Sequence, residues 1–302
     1  MIRTLVTIFA GLFGLATGSY LNVCASRWPE GESTVKPRSH CSSCGRTLAW
    51  WENIPLASWL GLGGRCRSCK APIGWRHLWV ELIVGVLWAF AGWEIFAAAP
   101  ELSFGIFDYN AAAAITDGVG RMIFLWLLVA LAVLDIENLW LPDRLTLPGI
   151  GLGLVLATTR GSLDAFLRYG GSFAVWKHLV ATDVVLFWLL GAVLSAGVLL
   201  LIRWVYGLIR REEGVGLGDV KLMALLGGWL GARCAVLALG FGAILGTVVA
   251  LLLLATPAMR ADREAWRQKK LPMGAFIAVG GVFSAFWGEQ LIAAYRQWSG
   301  LW

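Results

Sequence analysis

The chain has 302 residues, of which 58% are hydrophobic and only 15% charged, with a formal net charge of +6. A soluble domain carries about 25% charged residues, so an ordinary soluble globule is excluded. Runs of around 18 or more apolar residues recur along the chain, each enough to cross ~30 Å of hydrocarbon. In such a protein the basic excess records orientation, because Lys and Arg collect on the cytoplasmic side. No nucleic-acid partner is expected. The 18 Trp and 37 Gly suit interfacial anchoring and close helix packing.

Residues 1–17 carry one early charge, Arg3, and then an apolar stretch, as a signal peptide would. Leu21-Asn22-Val23-Cys24 approximates a lipoprotein cleavage site, with Val23 where a small residue belongs. No soluble mature domain follows, so the segment is read as a retained first span. Hydropathy then gives eight segments, near 4–24, 79–98, 119–135, 145–160, 179–203, 219–232, 235–256 and 272–295. Placing 25–78, 136–144, 204–218 and 257–271 with their flanks on one side collects 18 of the 25 Lys and Arg there. That side is cytoplasmic by the positive-inside rule, and both termini face out. The opposite side has two sizeable loops, near 99–118 and 161–178, the first without any Lys or Arg. The expected fold is an all-α polytopic membrane protein of about eight transmembrane helices. It divides into a first helix (1–24), a small cytoplasmic loop domain (25–78) and a membrane domain (79–302).

Within the loop lie Cys41-Ser42-Ser43-Cys44 and Cys66-Arg67-Ser68-Cys69. Each knuckle presents two thiolates from one tight turn, and two knuckles complete a tetrahedral shell of soft ligands for zinc. Arg46, Arg65, Arg67 and Lys70 offset the negative charge. Paired disulfides would fit an oxidising compartment, but the charge pattern puts this loop in the reducing cytosol. A redox C-x-x-C normally comes singly within a βαβ pattern, which is absent. A four-thiolate site is closed, so its metal is expected to be structural. His40 is read as a bystander, and Cys24 and Cys234 as isolated buried thiols.

Carboxylates at membrane depth are costly and by default suggest function. The third apolar segment ends at Asp135, with Glu137 and Asp143 following. The sixth is preceded by Gly214-Val215-Gly216-Leu217-Gly218-Asp219-Val220-Lys221, whose glycines permit a tight backbone before the carboxylate. Taken singly, Asp219 reads equally well as a helix N-cap, and Asp135 as the partner of a basic neighbour such as Arg144. Taken together they lie at the same membrane face. Two carboxyls brought close share a proton, so one activates water while the other polarises a carbonyl. No Ser or Cys nucleophile constellation, P-loop or H-E-x-x-H motif is present, and His40, His77 and His178 form no cluster.

Blocks spread over nearly the whole chain resemble the type IV prepilin peptidases, within the GxGD class of intramembrane aspartyl proteases. They are Gly18-Ser19-Tyr20-Leu21-Asn22-Val23, the cysteine knuckles, Asn53-Ile54-Pro55-Leu56-Ala57-Ser58, Trp75-Arg76 and Val80-Glu81-Leu82. Asp135 follows with Leu141-Pro142-Asp143-Arg144, then Gly216-Leu217-Gly218-Asp219-Val220-Lys221 and Leu271-Pro272-Met273-Gly274-Ala275. The resemblance implies cleavage of a basic leader from prepilins or type II secretion pseudopilins, after a glycine, at the cytoplasmic face of a bacterial inner membrane. It implies that methylation of the new amine by S-adenosylmethionine follows. It puts the two catalytic aspartates on Asp135 and Asp219, with Gly216, Gly218 and Lys221 as supporting motif. Residues 79–302 are then the peptidase domain, and membrane lipid is a second partner. The chain departs from the family pattern at Asp135-Ile136-Glu137, where many members carry D-x-D, and at Ala275, where a second Pro is common.

Two other readings are carried. A proton- or cation-coupled transporter would use Asp135 and Asp219 as a relay, deeper in the spans than they are expected here. A zinc-stabilised assembly protein without catalysis would tolerate their substitution.

Overall fold

The computed structural model describes residues 2–98, 109–169, 173–211, 214–255 and 271–300. Regular structure among them is helical throughout: α1 (Ile2–Arg27), a 3-10 turn (Trp50–Asn53), α2 (Ala57–Gly61), α3 (Trp75–Ala98), α4 (Tyr109–Asn138), α5 (Asp143–Tyr169), α6 (Phe173–Arg210), α7 (Leu217–Ala255) and α8 (Met273–Ser299). Six of these helices contain stretches long and apolar enough to cross a membrane. Their outward faces are apolar too, with Phe9, Leu12, Phe187, Leu201 and Leu252 exposed, as a lipid-facing surface requires. The protein is an all-α, multi-pass membrane protein. Its chain forms two compact units, Met1–Ala130 and Leu131–Trp302.

In the first unit α1 and α3 run antiparallel. Gly11 meets Ala89, Gly14 meets Val84, and Gly18 meets Glu81. A Cβ on Gly14 would lie 2.9 Å from the Val84 carbonyl oxygen, and one on Gly18 would lie 2.9 Å from the Glu81 Cα. Only glycine allows the backbones to close this far, which in lipid is the main source of helix association. Residues between α1 and α3 carry the 3-10 turn, α2 and two short turns built on the cysteines.

In the second unit α7 is not one straight rod. Gly231 has φ 78° and ψ 159°, a conformation open essentially to glycine alone. Along α8 from Gly274 to Gly288, the α7 partners are Asp219 at the start, then Gly246 beside Phe276, Gly242 beside Ile277, Ala238 beside Gly280, and Cys234 beside Gly288. The start of α7 and residue 246 therefore lie at the same end of α8. The chain reverses at Gly231, so α7 is a helical hairpin whose first limb carries Asp219. Gly191 of α6 and Gly227 of that limb meet backbone to backbone, leaving no room for a side chain on either.

The two segments expected at 219–232 and 235–256 are these two limbs. α5 covers the segment expected at 145–160, but is not among the six apolar enough to cross, since Pro148, Thr158, Thr159 and Arg160 dilute it. Two loop expectations need correction. Residues from 109 onward in the 99–118 region are helix, and α5 and α6 together fill the 161–178 region except for 170–172. Hydropathy falls off at those points while helix propensity, as in Ala111–Ala114, does not. Residues 256–270, which carry the last basic loop, lie outside the described residues.

Candidate active site

Asp135 occupies the last turn of α4 and is only 5% exposed. Its Oδ2 accepts the Ala275 amide at 2.8 Å. The first amides of a helix have no partner within it, and here the α8 terminus directs one at the carboxylate. Asp219 lies in the first turn of α7, half-buried, with Oδ2 3.5 Å from the position a Cβ would take on Gly216.

Gly274 joins the two. A Cβ built there would stand 3.0 Å from Asp135 Oδ2 and 3.0 Å from Asp219 Oδ1. The two carboxylate oxygens are therefore no more than twice that distance apart, across a point that holds no side chain. Leu141 closes another side. Its Cδ1 reaches 2.8 Å from that same point, and its Cβ stands 3.0 Å from the corresponding point on Gly218. The aspartates, 84 positions apart in sequence, thus meet over glycine with an aliphatic wall beside them. Two carboxyls at this range favour sharing one proton, so one is a base for water and the other an acid toward a carbonyl.

The neighbouring charges are arranged differently from the sequence reading. Asp143 opens α5 and pairs with Lys221 of α7 at 2.5 Å, both side chains being well exposed. This bridge ties the connection after Asp135 to the turn that carries Asp219. Asp135 takes a backbone amide rather than Arg144, which is exposed. Asp219 lies inside the first turn, not at its cap, since α7 begins at Leu217. Glu137 is exposed. Both aspartates sit at the ends of their helices, which does not favour a relay through the membrane midplane.

The four cysteines converge in the first unit. The sulfurs of Cys41, Cys44, Cys66 and Cys69 all lie within 4.8 Å of one another, and Cys41 Sγ is 3.7 Å from Cys69 Sγ. Tetrahedral Zn–S bonds of about 2.3 Å would require sulfurs about 3.8 Å apart, so the donor set fits. Each knuckle is built the same way. Cys41 N–H donates to Arg46 O and Gly45 N–H to Cys41 O; Cys66 N–H donates to Ala71 O and Lys70 N–H to Cys66 O. Gly45 and Lys70 both take positive φ to close these turns. Amides of Cys69 and Ser68 pull the Cys66 thiol down to about 6 and those of Cys44 and Ser43 lower Cys41, while burial and the neighbouring sulfurs push Cys69 up to about 11, so without a cation the crowded cluster ionises at some sulfurs and keeps a proton on another. His40 stands aside, its Nδ1 3.1 Å from Arg38 O. Cys24 and Cys234 are buried and unbridged.

Residues 122–251 match the family model described as the type IV leader peptidase family, and residues 12–95 match the bacterial Peptidase A24 N-terminal domain. A prepilin leader peptidase/N-methyltransferase of Pseudomonas aeruginosa is 32% identical over 96% of this chain and 93% of its own. A protein of the same name from Myxococcus xanthus is 36% identical over 83% of this chain and 64% of its own. Another from Burkholderia pseudomallei is 32% identical over 93% and 85%. The chain belongs to the type IV leader peptidase family. No solved structure matches it. Asp135 and Asp219 fall within the leader peptidase match, and the four cysteines within the N-terminal one. Sequence reasoning marked the Leu271–Ala275 block of this family member only by likeness. It missed that the block supplies both the amide on Asp135 and the gap between the carboxylates.

Proposed function

We propose that this protein is a membrane aspartyl endopeptidase that removes the leader peptide of type IV prepilins or type II secretion pseudopilins. Asp135 and Asp219 form its catalytic dyad. The observation that carries this reading is the approach of the two carboxylates over Gly274. One, ionised, takes a proton from water; the other, protonated, donates to the scissile carbonyl as the tetrahedral intermediate forms. The Ala275 amide fixes the orientation of Asp135, and the Asp143–Lys221 bridge holds the two dyad-bearing segments in register. Gly218 leaves room for Leu141 against the turn that carries Asp219, and Gly216 stands beside the Asp219 carboxylate.

A prepilin has a basic leader in the cytosol and an apolar helix in the bilayer, so its scissile bond waits at the cytoplasmic interface. The positive-inside count supports a dyad facing that side, both termini in the periplasm, and residence in a bacterial inner membrane. Cys41, Cys44, Cys66 and Cys69 hold a structural zinc that shapes the loop without entering the chemistry. The relatives' names support a second step, methylation of the new α-amine with S-adenosylmethionine as donor. That amine has an ordinary pKa of about 7.7–8.0, so a useful fraction is neutral in the cytosol.

The test is processing of a co-expressed prepilin by Asp135→Asn and Asp219→Asn. Each variant is expected to leave the precursor uncut at wild-type expression level. Mature pilin from either single variant would remove that residue from the dyad. Mass spectrometry of pilin matured by the wild type is expected to show one added methyl on its first residue. Cysteine labelling of intact cells is expected to leave positions in the 25–78 loop protected from impermeant reagent.

A further inference from the structure

Several sequence blocks that take no part in the dyad meet in the first unit. The antiparallel packing of α1 and α3 sets Ser19 and Asn22 of one helix against Glu81 and His77 of the other. Glu81 is 8% exposed. Its Oε2 accepts the Leu56 amide at 2.8 Å, and Ser19 of α1 stands beside the same carboxylate. Both partners are neutral, and among the described residues no cation pairs with Glu81. One turn along the interface, Asn22 is 3% exposed and donates Nδ2 to His77 O at 3.0 Å. Its Oδ1 is buried with no hydrogen-bond partner. Leu56 is held at φ 56° and ψ −50°, a strained backbone for a residue with a side chain.

A buried carboxylate without a cation is costly, and a second buried acceptor without a donor adds to the cost. Both costs are met by one group that brings a positive charge and several N–H donors, a primary ammonium. Glu81 lies six residues into α3, about 9 Å along its axis from the first turn. That depth suits the amine of a helix emerging at the membrane surface. We propose that Glu81, with Asn22 and Ser19, is the binding site for the α-ammonium of the mature substrate, where methyl transfer occurs. This rests on the reading that the protein methylates the amine it exposes.

The step balances. Glu81 takes one proton from the ammonium, giving a carboxylic acid and a neutral amine. The amine lone pair attacks the methyl carbon of a sulfonium donor, here S-adenosylmethionine. The N–C bond forms as the C–S bond breaks, its electron pair stays on sulfur, and an N-methylammonium and a neutral thioether result. Glu81 returns its proton to water. If Glu81 only pins the Leu56 turn, none of this chemistry depends on its charge.

The two roles separate in a binding measurement that needs neither cleavage nor donor. Full-length protein carrying Asp135→Asn and Asp219→Asn, in nanodiscs, is titrated with a synthetic apolar helical peptide bearing a free α-amine. The same peptide with an acetylated N-terminus is the control. A charge-assisted contact of this kind is worth about tenfold or more in Kd. The free amine is expected to bind that much tighter. Adding Glu81→Gln is expected to erase the preference, while Glu81→Asp keeps part of it. Equal binding of the two peptides before Glu81 is changed would overturn the proposal, and so would a preference that survives Glu81→Gln. If Glu81→Gln fails to fold, Asn22→Ala and Ser19→Ala, which keep the carboxylate, are each expected to narrow the preference, and an unchanged preference in both would overturn the proposal. With the dyad already neutralised, the outcome is independent of whether Asp135 and Asp219 cleave.

Discussion

Gly274 is the residue on which the proposed dyad depends most, because both carboxylates lean on the space it leaves open. Gly274→Ala would push a methyl to 3.0 Å from each carboxylate oxygen and 2.8 Å from Leu141. A displacement near 1 Å at reacting groups costs about 10²-fold, so kcat should fall by that order with KM little changed. Gly216→Ala adds only an ordinary contact, 3.5 Å from Asp219 Oδ2, and should keep most of the activity. A steady-state comparison in which Gly216→Ala is the worse variant would refute this account. The sequence could not rank these glycines, since both stand in motifs beside an aspartate. It likewise had no sign that Asp143 would meet Lys221, 78 positions on. In the loop, Arg46 bonds Glu52 at 2.5 Å, with the Ala49 amide at 2.8 Å, holding the carboxyl below its ordinary range. The ionised form is thus favoured on folding. Its stabilisation is present above the unfolded pKa and is lost as pH falls through the lowered folded value. Glu52→Gln should therefore be less resistant to proteolysis in the loop at neutral pH, with the gap closing in acid. A gap that does not change with pH would argue against the charge as its cause.

At the scale of elements, apolar length made the helices legible. It even separated 219–232 from 235–256, within a few residues of the break at Gly231. It could not show that the two limbs fold back together, or that Leu141 stands between Gly218 and Gly274, because those are tertiary distances with no local signal. The reversal gives its own prediction. A Cβ on Gly231 meets nothing within 4 Å, so the cost of Gly231→Ala is purely one of backbone. It should be of order 1–3 kcal/mol, read as a lower thermal midpoint in detergent. The cysteine knuckles were legible from spacing, and the structure adds their shared turn geometry. Purified protein should carry about one zinc per chain, and Cys66→Ser, at the most buried ligand position, should lose it. Limited proteolysis should then cut within residues 28–74. A metal-free wild type with an intact, protease-resistant loop would rule out a structural zinc there.

For the whole molecule, the proposed chemistry divides between its two units. The hydrolytic pair lies in the second, and the thiol cluster and the Glu81 site lie in the first. The hairpin in α7 also bears on the lipid around the protein. From Leu217 to Gly231 the limb that carries Asp219 is about 15 residues, or about 22 Å of helix, against a hydrocarbon layer of ~30 Å. A limb this short ends within that layer, and none of residues 218–231 is exposed, so the reversal is sheltered by neighbouring helices, as irregular backbone at that depth must be. The limb that carries Asp219 thus meets protein rather than lipid along its length. In proteoliposomes of graded acyl-chain length, cleavage should therefore vary little as the chains lengthen.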